Sequence, residues 1–167
     1  MNPREFHRLA DVLAHGKGPA EFRSAISRGY YAVYLVAVEI LAGMGWRISE
    51  GPAGHADVQR FLSNCGDPVI ERIGSDLSDF RRTRNLADYQ PGDKAVEVRA
   101  KSLFYVRMAG AMIQALDACR EEPRRSAIIA GINPTSASFS PDLAPQYTLQ
   151  PPSGALPADS AVRRKAP

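Results

Sequence analysis

The stretch DFRRTRNLADYQPGD, residues 79–93, concentrates the side chains best suited to chemistry. Arg81, Arg82 and Arg84 fall within four positions, and Asn85, Asp88 and Tyr89 come next, before a Pro-Gly breaker. On a helix Arg81, Arg84, Asn85 and Asp88 share one face, at offsets of three, four and seven, while Arg82 points elsewhere. Two guanidinium groups and an amide on one face are suited to gripping phosphate, because a guanidinium donates two parallel hydrogen bonds. A plainer reading stands beside it. Arg84 and Asp88 at i, i+4 would form an intrahelical ion pair, contributing about 0.3–0.5 kcal/mol if exposed. A basic cluster at a helix C-terminus also complements the macrodipole. The residues alone favour neither reading.

Other side chains must then be placed around this face. Tyr30, Tyr31 and Tyr34 lie close together in the sequence. Tyr30 falls on a buried stripe and is expected in the core. Tyr31 and Tyr34 fall off it and are expected to face a dimer partner or a stacked base. Arg28 lies near Tyr31 and is a candidate for the same phosphate-gripping face. The three histidines are His7, His15 and His55. His7 and His15 sit on the first helix, with packing or solvent-facing roles. His55 comes after GPAG at the start of the third helix, where it either packs at the helix start or approaches the fourth helix as a proton carrier. Cys65 and Cys119 have neither a metal-binding spacing nor a disulfide framework, so both are expected reduced, with no metal and no cofactor.

The elements that position these residues read as helices. Asn2-Pro3-Arg4-Glu5 offers a cap, a proline at a helix start and a capping-box glutamate, opening a first helix that stops near Gly16. Pro19-Ala20-Glu21 opens a second. Along it Phe22, Ile26, Tyr30, Val33, Ala37, Ile40 and Leu41 keep the rhythm of one buried face, and Gly43 and Gly45 end it. A short helix is expected over HADVQRFLSN. Asp67-Pro68 caps a fourth helix running towards Asp88, and Pro91-Gly92 stops it. Asp93 is expected to cap the last long helix, where Val96, Leu103, Val106, Ile113 and Leu116 recur. No run alternates in the manner of a strand. The reading is an all-α, antiparallel bundle of four or five helices over residues 1–122.

The remainder, residues 123–167, differs in composition. It holds eight of the 13 prolines and few periodic apolar positions, so it is expected to be disordered or extended, although SAIIAGI at 126–132 has the composition to add a helical turn or dock on the core. The chain's net charge of +3 resides in this segment, through Arg124, Arg125, Arg163, Arg164 and Lys165 against Asp142 and Asp159. Residues 1–122 are therefore neutral overall, and global basicity says nothing about nucleic-acid binding by the folded part. The most apolar run, residues 30–46, carries Glu39 and three tyrosines and reads as a buried helix, so no membrane association is expected. The N-terminus lacks the basic-then-apolar layout of a secretory signal, and a cytoplasmic location is expected.

Taken in order, FRSAISRGYYAVYLVAVEIL, GHADVQRFL and DFRRTRNLADYQ resemble the HEPN superfamily of small helical bundles. The likeness is closest to the branch with a tyrosine-rich second helix, a histidine-containing third and an Arg-x-x-x-Asp-Tyr ending on the fourth. It covers about residues 5–118. Many members are metal-independent endoribonucleases of toxin–antitoxin, CRISPR or phage-defence systems. They act as homodimers that bring together two copies of an arginine followed, after four to six residues, by a histidine. Others are non-catalytic modules, some paired with a nucleotidyltransferase. The resemblance implies RNA as target, Arg84 as the motif arginine and Asn85 as its polar neighbour. The motif histidine has no counterpart, because Asp88 and Tyr89 stand where it would fall. Asp88 would be a weak base and Tyr89 a poor acid unless its pKa were lowered, which leaves His55 as the residue to recruit. A non-catalytic module that partners a nucleotidyltransferase or antitoxin, and a helical adaptor that recognises its target through the basic tail, are the alternatives.

Overall fold

The computed structural model describes residues 1–132. Six α-helices succeed one another: α1 (Arg4–Ala14), α2 (Pro19–Gly43), α3 (Pro52–Ser63), α4 (Pro68–Tyr89), α5 (Arg99–Asp117) and α6 (Arg124–Gly131). Short 3-10 turns at Lys94–Val96 and Ala118–Arg120 flank α5. No strand occurs among the described residues, and the fold is an all-α bundle.

The sequence starts these helices by recognisable chemistry. Asp67 accepts from the amides of Val69 (3.0 Å) and Ile70 (3.1 Å), so two otherwise orphaned donors of α4 are satisfied. Glu21 reaches back to the amides of Lys17 (2.6 Å) and Gly18 (2.8 Å) ahead of α2, and those bonds hold its carboxyl below the ordinary range. At α1, Asn2 accepts from the Arg4 amide at 3.0 Å, but Glu5 does not close a capping box and pairs with Arg8 instead. Asp93 departs further from expectation. It caps the turn Lys94–Val96 through the Ala95 amide (2.8 Å), and α5 begins only at Arg99. Val96 is fully buried there, which makes the turn an anchor rather than the first turn of the helix.

Helix α2 is the hub. It packs against α1, α3, α4 and α5. Arg4 at the start of α1 pairs with Glu39 near the end of α2 (3.5 Å), so those two helices run antiparallel. Arg23 near the start of α2 contacts the end of α4, which makes that pair antiparallel too. Tyr30, Phe80, Ile26 and Leu41 are among the largest fully buried side chains, each contributing about 1.5–3 kcal/mol by leaving water. By length and hydropathy α2 could cross a membrane, yet 61% of its most apolar window is buried inside the bundle. Trp46 is buried beyond the end of α2 and lies 5.2 Å from the Phe61 ring.

Residues 124–131, which composition groups with the tail, form α6 and dock on the bundle. Ile128 and Ile132 are buried, and Arg124 donates twice to Asp67 at 2.7 and 2.9 Å. Two apolar anchors and a bidentate ion pair are enough to hold one short helix that has little intrinsic stability. The expectation of disorder for 133–167 lies outside the described residues.

Candidate functional site

Three helices bring the chemistry-bearing residues together. Helix α2 supplies Tyr30, Tyr31 and Tyr34, α3 supplies His55, and α4 supplies Arg81, Arg84, Asp88 and Tyr89. Gly54 sets how closely α3 starts against α2. A Cβ at that position would meet the Ser49 carbonyl at 2.2 Å and the Tyr34 hydroxyl at 2.8 Å, so only glycine fits. The next residue, His55, therefore lies against Tyr34, with ring centroids 4.1 Å apart.

His55 is tied to the core from below. Its Nδ1 lies 2.7 Å from the Tyr30 hydroxyl. Burial pushes the Tyr30 phenol up to about 12, so the hydroxyl keeps its proton and donates it. Burial, then the charges of Arg81 and Arg84, push His55 down to about 4. At neutral pH the imidazole is uncharged, accepts at Nδ1 and carries its proton on Nε2. That tautomer can donate to an anion. It is a poor general acid at neutral pH, because it holds no second proton to give.

Arg84 is buried, with 5% of its surface exposed. Its Nη2 donates to the Tyr31 hydroxyl at 2.9 Å and its Nη1 to the Tyr89 hydroxyl at 3.4 Å. The guanidinium carbon lies 4.8 Å from the Tyr31 ring centre, 5.2 Å from Tyr30 and 5.9 Å from Tyr89. A cation lodged among electron-rich ring faces is stabilised by their quadrupoles. The expected ion pair with Asp88 is present at 3.6 Å. Asp88 also accepts from Ser27 Oγ at 3.1 Å, so its charge is shared. The Arg84 Nε is buried and makes no hydrogen bond among the described residues.

The predicted residues thus fall into groups. Arg84, Asp88, Tyr89, Tyr31 and His55 converge. Arg81, half-buried, lies close enough to bias both His55 and Tyr30. Arg28 stacks over Tyr31 and Phe6, each at 5.4 Å, and donates to Ser27 at 3.4 Å. Asn85 does not join them: it is exposed, one position round the helix from the buried Arg84. Arg82 pairs with Asp79 at 3.4 Å, away from the cluster. Tyr30, assigned to the core, is both core and donor to His55. His7 and His15 bond to the backbone carbonyls of Val106 and Asp11 at 3.0 and 2.8 Å.

Two contributors escape sequence reasoning. Arg23 on α2 donates to the carbonyls of Leu86, Ala87, Gln90, Pro91 and Asp93 at 2.7–3.2 Å and to the Glu97 carboxylate at 3.0 Å. One guanidinium thereby satisfies the orphaned C-terminal carbonyls of α4 and fixes where Asp88 and Tyr89 stand. Its partners are backbone groups more than 60 positions away, and nothing in the spacing marks them. Ser27 left a faint trace, as a hydroxyl beside Ile26 on an otherwise apolar face.

Cys65 and Cys119 are both free and buried, and burial pushes the Cys119 thiol up to about 11. Among the described residues no group of three or more His, Cys, Asp or Glu side chains is arranged to hold a metal. No family model, curated protein or solved structure matches this chain.

Proposed function

We propose that this chain is a HEPN-like, RNA-directed protein that works as a homodimer, with the Arg84 site binding single-stranded RNA. The carrying observation is the buried Arg84 guanidinium, set among tyrosine rings with Nε unpaired and only a shared carboxylate as counter-charge. Burial, helped by the positive field of Arg81 and Arg84, holds His55 neutral, and that field favours a phosphodiester. Tyr89, 70% exposed, offers a ring on which an unpaired base can stack. Arg28 and Arg81 are the phosphate contacts on the rim.

The endoribonuclease version draws on one further observation, the Tyr30–His55 bond that orients an imidazole beside two arginines. It uses no metal and gives His55 the role of hydrogen-bond donor to the phosphate. The alternative of a module that docks a nucleotidyltransferase or antitoxin draws on the exposure of Tyr89.

Fluorescence anisotropy with a labelled single-stranded RNA, at several salt concentrations, tests the reading. Wild type should bind, and Arg81→Ala should weaken binding across sequences and flatten the log–log salt slope by about 0.7. No binding by wild type at low salt would sink it. Gel analysis of the same mixtures reads cleavage, and intact RNA throughout would leave binding and remove catalysis.

A further inference from the structure

Two hollows adjoin along α5, one of them between α5 and the start of α4 and the other on α5 alone. The first, of about 470 Å³, is lined by Pro68, Val69 and Ile73 against Met108, Ala111 and Ala115. The other, about 480 Å³, is lined by Ala100, Leu103, Phe104 and Arg107 and shares Met108 and Ala111 with the first. The shared residues place the two hollows side by side, as successive stretches of one apolar channel surface on α5. Val69 and Phe104 along it are 50% and 60% exposed, which is costly for large apolar side chains unless something covers them. Its polar content is small. Arg72 is engaged by Asp76 at 2.9 Å, whereas Arg107 pairs with no carboxylate among the described residues.

We propose that this channel is the docking surface for residues 139–149 of the same chain, FSPDLAPQYTL. The described chain ends against Cys65 and Gly66, just ahead of the Pro68 end of the channel. Ile132 is buried in the core, and Gly131 packs so tightly on the stretch of chain before α4 that a Cβ there would lie 2.0 Å from the Cys65 carbonyl. Pro68, which opens the channel, stands three positions after Cys65. From Ile132 to Phe139 seven residues reach about 23 Å at ~3.3 Å each, enough to arrive anywhere near that end. From Ala115 to Ala100 the channel is about 22 Å long at ~1.5 Å rise per residue. Eleven residues at ~3.1 Å each cover that length.

The chemistry also fits. Phe139, Leu143 and Tyr147 recur at four-residue intervals and supply apolar anchors. Pro141 and Pro145 favour an extended segment that loses little entropy on docking. Asp142 is the one acid in that segment and complements Arg107. Docking within one chain proceeds at an effective concentration in the millimolar range, so a weak fit suffices.

Hydrogen exchange on the full-length protein tests the proposal, with the amides of 139–149 read at two protein concentrations a hundredfold apart. The expected result is protection of about tenfold or more over unstructured rates, independent of dilution. Phe104→Glu and, separately, Leu143→Glu should each abolish it. Phe104 is largely exposed, so its variant should melt with the wild type and report on docking rather than folding. Unprotected wild-type amides, protection that survives either substitution, or protection that fades on dilution would each overturn the proposal. The last result would assign the channel to a second copy of the chain.

Discussion

The Tyr30 hydroxyl donates to His55 Nδ1 across 2.7 Å, joining the most buried ring of α2 to the first turn of α3. Removing the donor should be felt in both elements. Tyr30→Phe leaves the Nδ1 acceptor without its partner in a half-buried site, at a cost of about 1–2 kcal/mol. Urea denaturation measures this, and an unchanged midpoint would mean that the bond adds nothing net.

The pH dependence has a definite sign. His55 in the unfolded chain takes a proton near 6.5, whereas in the fold it resists protonation until about 4. The unfolded state therefore binds more protons between those values, and stability should fall as pH drops from about 6.5 to about 4. Above that window the contribution is constant. Asp67 and Asp117, lowered by their arginine partners against desolvation, lose their stabilisation further down, as pH passes through their depressed pKa values. His55→Asn should flatten the upper window and leave the lower one, as read by urea melts at pH 7, 5.5, 4.5 and 3. Proton NMR should show the His55 ring resonances unmoved from pH 8 to 5.

Arg84 joins two aromatic helices and a carboxylate. Arg84→Ala should destabilise by about 2–4 kcal/mol, because it opens a cavity and leaves the Tyr31 hydroxyl unpaired. Arg84→Lys should recover only part of that, since an ammonium cannot form the planar fork or stack as a guanidinium does. Chemical denaturation of both variants against wild type separates charge from geometry: full recovery by lysine would mean charge alone matters.

Arg23 should behave as a clamp. Arg23→Ala frees the last carbonyls of α4 and leaves Glu97 with Lys94 as its remaining partner, at about 2–4 kcal/mol. Amide exchange at residues 86–93 should rise before the rest of α4 loosens. Uniform loosening of the whole helix would contradict the clamp.

Gly54→Ala tests the close approach of α3. The added methyl must displace both the Ser49 carbonyl and the Tyr34 hydroxyl, at about 1–3 kcal/mol, and the His55–Tyr34 contact should widen. A shift of the His55 ring resonances with little change elsewhere is the expected NMR signature.

Much of this architecture was legible. Asp67-Pro68 and Pro19-Ala20-Glu21 opened helices where their chemistry says they should, because caps are local and their partners lie within four residues. Asp93 misled for the same reason. It does cap the next few residues, but burial of Val96 bends the chain into a separate turn, and burial is a tertiary property. At the site, the shared helix face of Arg81, Arg84 and Asp88 was readable from spacing. That Arg84 faces inward while Asn85 faces water was not, since the apolar surroundings that take the guanidinium come from α2. Arg23 left no mark at all, because backbone carbonyls look alike in any sequence.

The placement of the rings gives this chain two separate optical probes. Its single tryptophan, Trp46, is sealed beside Phe61 beyond the end of α2, and its emission reports whether the bundle is intact. Four of the six tyrosines, Tyr30, Tyr31, Tyr34 and Tyr89, belong to the ring cluster around Arg84 and His55. Their near-ultraviolet absorption and dichroism respond to whatever enters or leaves that cluster. Occupancy and unfolding are thus distinguishable in the unlabelled protein, in one cuvette, at two wavelengths.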